Sequence, residues 1–141
     1  MGENADVIKR GFEAFANGDL DGVKETWHDD FRWEGTNDDR LPVGGRLEGK
    51  DSAAEALAKI GEAWDDFSAV PDEFHESDET VIVLGHASGK AKESGKEVKY
   101  PFVHVWRMRE GKATEVLALS DTFEVAKALG LADGGGGDDD D

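Results

Sequence analysis

Cysteine is absent from the 141-residue chain, so disulfides, Cys-ligated zinc and iron–sulfur clusters are all excluded. Long apolar runs are absent too. The opening MGENADVIKR has no hydrophobic segment of signal-peptide type, and no later stretch approaches the ~20 apolar residues of a membrane-spanning helix. Basic residues are scarce: 16 Lys and Arg stand against 33 Asp and Glu, giving a net charge of −17. Phosphate backbones and anionic lipid surfaces need the opposite sign, so neither nucleic acid nor membrane is expected as a partner. These absences describe a soluble, cytoplasmic protein. A chain of this length buries roughly two-thirds of its unfolded surface and needs no covalent staple.

The acidic excess is itself informative. Like charges at this density destabilise a compact chain unless salt screens them. The abundance of Asp resembles proteins of salt-loving archaea, and a halophilic archaeal source is the expectation.

Residues 1–132 are expected to form a single domain. Residues 133–141 carry the run GGGGDDDD and are expected to be a disordered tail, since four glycines have no reason to order and four aspartates repel. Ile8, Phe12 and Phe15 recur at helical spacing, with Asn4 as a candidate N-cap and Asn17-Gly18 as the stop. Asp19 caps a second short helix striped by Leu20, Val23 and Trp27. Phe31 and Trp33 alternate with Arg32 and Glu34, which reads as a strand with Glu34 pointing to solvent. Residues 35–50 read as a loop, either a functional flap or a surface excursion. Asp51 or Ser52 then caps a third helix carrying Leu57, Ile60 and Trp64. From residue 68 the pattern is a strand meander, opening on an edge strand marked by Pro71 and ending in a short helix after residue 122. Helices set before an antiparallel sheet make an α+β domain.

The stretch from Tyr100 to Asp121, YPFVHVWRMREGKATEVLALSD, reads as two long strands joined by a tight turn at Glu110-Gly111. Phe102, His104 and Trp106 share one face, and the second strand ends in Asp121. A carboxyl desolvated by aromatic walls is moved toward neutrality, and it can then both take and give a proton. Two readings stay open for Asp121: a pocket acid/base, or the N-cap of the helix that follows. His104 is either a site residue or a satisfied interior histidine. With Ser94-Gly95 as a two-residue turn, His86 falls opposite Val103 and faces away from His104. A His86–His104–Asp121 metal site would require a bulge, so no metal is expected. Four tryptophans, Trp27, Trp33, Trp64 and Trp106, are core by default and suit a rigid aromatic-walled cavity for a flat ligand.

The segments FEAFANGDLDGVKETWHDDFRWEG and LGHASGKAKESGKEVKYPFVHVWRMREGKATEVLALSDT resemble the SnoaL-like polyketide cyclases of the NTF2-like superfamily, which also contains ketosteroid isomerase. The resemblance runs from about Asp6 to Leu129. It implies a curved antiparallel sheet wrapped around three helices, a cone with an apolar pocket, and a homodimer formed through the sheet. It places Asp121 where cyclases carry their acid/base aspartate, His104 at a polar pocket position, and Trp33, Phe102 and Trp106 on the wall. Phe15 and Trp64 complete the expected substrate-contacting set. Steroid isomerase chemistry is not implied, because its three functional groups are missing at Gly11-Phe12, Glu34-Gly35 and Val103. The expected activity is cofactor-independent acid/base chemistry of cyclase, isomerase or hydratase type on a small apolar or aromatic ligand. The alternative is a binding or dimerisation domain of the same fold. If the halophilic reading is right, the unfolding midpoint rises steadily from low to molar KCl; a midpoint unchanged over that range overturns it.

Overall fold

The computed structural model describes residues 2–35, 40–41 and 43–132. Its elements run α1 (Glu3–Ala16), α2 (Leu20–Lys24), β1 (Trp27–Glu34), β2 (Arg46–Glu48), α3 (Lys50–Ala63), β3 (Trp64–Ser77), β4 (Thr80–Ala91), β5 (Glu97–Arg109), β6 (Lys112–Ser120) and α4 (Thr122–Ala128). The tail from residue 133, and residues 36–39 and 42 of the expected flap, lie outside the described residues.

Helix α1 buries Ala5, Val7 and Ile8, with Phe12 and Phe15 packed against the core one and two turns on. Its stop is the expected one: Asn17 is the C-cap and Gly18 takes φ +73°, a left-handed value that glycine adopts without strain. Its start differs from the expectation. Asn4 lies inside the helix, and the N-cap is Gly2, which has no side chain to offer. The free N–H of Ala5 donates instead to Glu76 Oε1 at 3.0 Å, a carboxylate delivered by β3 from 71 residues away. Such a tertiary cap leaves no local signature. Helix α2 is capped as expected, Asp19 accepting from the Gly22 N–H at 2.9 Å. Helix α3 is not: its N-cap is Gly49 at φ +90°, and neither Asp51 nor Ser52 serves. Trp64 falls on the first residue of β3, where it is still buried.

The six strands are ordered β2-β1-β6-β5-β4-β3. From β3 to β6 the sheet is the expected antiparallel meander, with β3 at one edge and its ladder shifting between Asp65 and Ser68 and again between Pro71 and Glu73. The whole sheet, however, is mixed. β1 pairs on one side with the last strand, β6, and runs parallel to it. Residues 46–48 of the expected loop form β2, antiparallel to β1. Among the described residues four helices accompany the sheet, the fourth being the short α4 expected after residue 122.

Two turns show how register is set. Glu110 and Gly111 take φ +53° and +81°, the primed turn expected between β5 and β6. Between β4 and β5 the loop is longer than a two-residue turn: Ala91 N–H donates to Lys96 O, and Gly95 N–H to Ala91 O, both at 2.8 Å. His86 therefore pairs with Pro101, and Leu84 takes the place opposite Val103. The slip is two residues, so each side chain keeps the face expected of it.

The core lies between the concave face of the sheet and helices α1–α3. The opposite face carries an apolar ladder over three strands, Ile82–Val105–Leu117 beside Leu84–Val103–Leu119, with Leu119 half exposed. Gly85 faces the core directly opposite Phe102. A Cβ there would stand 2.3 Å from Val70 O and 2.5 Å from Phe102 Cζ, so the ring occupies the place of the missing side chain. Gly85→Ala is expected to cost about 1–3 kcal/mol by overpacking, read as a lowered thermal midpoint; an unchanged midpoint would contradict this packing.

Candidate functional site

Strand alternation in β5 sends Tyr100, Phe102, His104 and Trp106 to the concave face, and α1 supplies Ile8, Phe12 and Phe15 opposite them. Between these elements lies a cavity of about 160 Å³. Trp33 of β1, Leu57 and Ile60 of α3, and Trp64 and Phe67 of β3 close its sides. Leu41, Val43 and Gly44 from the β1–β2 connection and Ser120, Thr122 and Val125 from the β6–α4 junction complete it. Phe15, Trp33, Trp64, Phe102 and Trp106, the five wall residues expected from sequence, all line this cavity. Phe12, Phe67 and Tyr100 also line it and were not singled out, although the alternation Tyr100–Phe102–His104 already places Tyr100 on the inner face. Among the described residues no Asp, Glu, Lys or Arg lines it.

His104 is the imidazole of this cavity. Its ring centroid lies 4.6 Å from that of Phe102, 5.8 Å from Phe12, and 5.7 Å from both Trp33 and Trp106. Its Nδ1 is shielded from solvent and has no hydrogen-bond partner among the described residues; the same is true of Trp33 Nε1 and Trp106 Nε1. The residue as a whole keeps some accessible surface, and its Nε2 is not among the shielded, unpartnered atoms of the described residues. Burial among hydrocarbon and ring faces pushes its pKa down from 6.5 to about 3. The imidazole is therefore neutral at any ordinary pH. Burial acts in the opposite sense on Tyr100, raising its phenol to about 12.

Asp121 does not join His104. It is exposed, and its carboxylate accepts from the Glu124 N–H at 3.2 Å as the N-cap of α4. Its neighbours Ser120 and Thr122 line the cavity; Asp121 does not. The reason is local: β6 ends at Ser120, and the cap geometry turns the next side chain back over the first turn of the helix. Of the two readings open for Asp121, the structure shows the cap, and the expected imidazole–carboxylate pair is not assembled in the pocket. His86 sits on the outer face with Nδ1 2.8 Å from Asp72 Oδ2, so His86, His104 and Asp121 occupy three separate places. Among the described residues no His, Asp and Glu side chains group as a metal site. Glu34 is exposed, as its alternation with Trp33 requires. His28 bonds through Nε2 to Arg109 O at 2.7 Å.

A sequence profile of the SnoaL-like domain matches residues 8–116. Among solved structures, an NTF2-like protein of unknown function from Burkholderia pseudomallei K96243 is 30% identical, with 92% of this chain and 98% of that one aligned at a TM-score of 0.84. TerC, crystallised with polyporic acid, is 26% identical over 92% of this chain and 99% of its own, TM-score 0.82. A candidate SnoaL-like polyketide cyclase from Jannaschia sp. CCS1 shares the fold at 21% identity, 92% and 93% coverage and a TM-score of 0.79. No curated protein sequence matches the chain.

The burial of His104 has a measurable consequence. The unfolded chain binds a proton at this residue below about pH 6.5, while the folded chain resists until about pH 3. Stability is thus lost as pH falls through this window, at up to about 1.4 kcal/mol per pH unit. His104→Phe removes that loss, so the variant's unfolding midpoint should gain on the parent's as pH falls from 7 to 4. A constant difference between the two would show an ordinary, hydrated imidazole.

Proposed function

The chain belongs to the SnoaL-like domain family, and from that premise we propose that it binds a flat, largely apolar small molecule in the cavity beneath β5. The observation that carries this reading is the composition of the wall: aromatic rings from four elements enclose an open volume whose described lining residues include one imidazole and no charged side chain. A space of this kind is a poor core and a good ligand site. The structure of TerC with polyporic acid supports it from a relative.

Any reaction in this site uses His104 rather than Asp121. A neutral imidazole with a depressed pKa is a weak base but a competent hydrogen-bond donor to a carbonyl oxygen that gains charge in enolisation, aldol closure or hydration. Cyclase or isomerase chemistry of that electrophilic kind suits the family fold. The outer apolar ladder suits a homodimer formed sheet to sheet, since a patch of this size on a monomer invites a partner.

Native mass spectrometry of the purified protein tests both parts at once. The expected species is a dimer, with a retained small molecule in each subunit or one acquired from an added aromatic ketone. In the same experiment Asp121→Asn should leave ligand retention unchanged, because asparagine caps as well as aspartate. His104→Phe should reduce it. Loss of ligand in the Asp121 variant alone would place that residue in the binding site.

A further inference from the structure

Resting on the reading of this cavity as a ligand site, we propose that it admits only uncharged ligands, and that the ligand must bring an acceptor oxygen of carbonyl type to Nε2 of His104.

Neutrality follows from what the lining omits. Charged residues make up 35% of the chain, and among the described residues none of them lines the cavity. An ion entering it gives up its hydration shell and meets no opposite charge on a described lining residue. For an anion no described lining residue offsets that loss, and the net charge of −17 opposes its approach as well. For a cation the ring faces of Phe12, Trp33, Phe102 and Trp106 offer some compensation, but attraction to ring faces is smaller than the hydration surrendered. The cavity's own titratable groups behave accordingly. Burial holds His104 unprotonated and Tyr100 protonated, so the same surroundings disfavour both signs of charge.

The demand for an acceptor follows from the two ring nitrogens of His104. Nδ1 is shielded and has no partner among the described residues. A proton placed there would be a buried, unsatisfied donor, so the favoured tautomer carries its proton on Nε2. An N–H directed into an apolar cavity selects a ligand oxygen that can accept from it. Thr26 does not substitute for His104 as a donor, since its hydroxyl already donates to Val23 O at 2.7 Å. The volume, about 160 Å³, matches one aromatic ring with a short substituent, given that a cavity of roughly 150 Å³ holds benzene.

All four tryptophans line the cavity, so their fluorescence reports its occupancy directly. Titrations at neutral pH with acetophenone, benzoate and phenyltrimethylammonium compare the three charge states on one ring. The expected result is saturable binding of the ketone, with each ion weaker by roughly tenfold or more. An ion that binds as tightly as the ketone overturns the charge rule and leaves the ligand-site reading standing. Binding of none of the three overturns both. α-Methylstyrene, which keeps the shape of acetophenone without the oxygen, isolates the second claim. The parent should prefer the ketone by several-fold, and His104→Phe should bind the two alike, hydrocarbon binding also reporting that the variant is folded. A ketone preference that survives in the variant overturns the role given to His104.

Discussion

The contact on which the rest of this protein depends is the meeting of aromatic rings from β1 and β5 above β6. These strands are not neighbours; β6 lies between them. Their rings meet because β6 turns only small side chains inward, Ala113, Val116 and Ala118, leaving a trough that larger neighbours lean across. Phe31 reaches Trp106 at 6.0 Å between centroids, Trp33 reaches it at 6.2 Å and stands perpendicular, and Trp27 stacks on Phe31 at 4.2 Å. Large rigid rings cannot fill space as branched aliphatic side chains do. The volume they leave, beneath α1 and beside α3, is the cavity.

That arrangement also decides what His104 can be. Opposite Ala118 on the trough, its ring is enclosed on several sides by other rings and receives no polar partner at Nδ1. A histidine in such a place has lost its usual role as a group that titrates near neutrality. What remains is a fixed, uncharged donor, and the chemistry open to it is recognition or polarisation of a carbonyl rather than abstraction of a proton. The carboxylate of Asp121 stands one residue beyond the end of β6, serving α4. The distance between a catalytic dyad and a helix cap is here the single residue from Ser120 to Asp121.

Much of the architecture was legible in the chain because it is recorded locally. Helical spacing of Ile8, Phe12 and Phe15, alternation of Phe102, His104 and Trp106, the Asn17-Gly18 stop, the Asp19 cap and the Glu110-Gly111 turn each report on a few adjacent residues. What was illegible involves partners far apart. The start of α1 is satisfied by Glu76, 71 positions away, and β1 lies parallel to a strand that follows it in sequence only after four others. The β4–β5 loop was misjudged by two residues, yet the period of two meant that no side chain changed face.

Alternation and helical spacing by themselves determined which faces are apolar and therefore which rings surround the cavity, because a side chain's direction follows from its position in a regular element. Only the tertiary structure decided the state of the polar groups. The neutral form of His104 is set by surroundings drawn from α1, β1 and β5 together, and the outward turn of Asp121 by the place where β6 ends and α4 begins. A side chain's face is a local property of the backbone; its charge and its partners belong to the assembled fold.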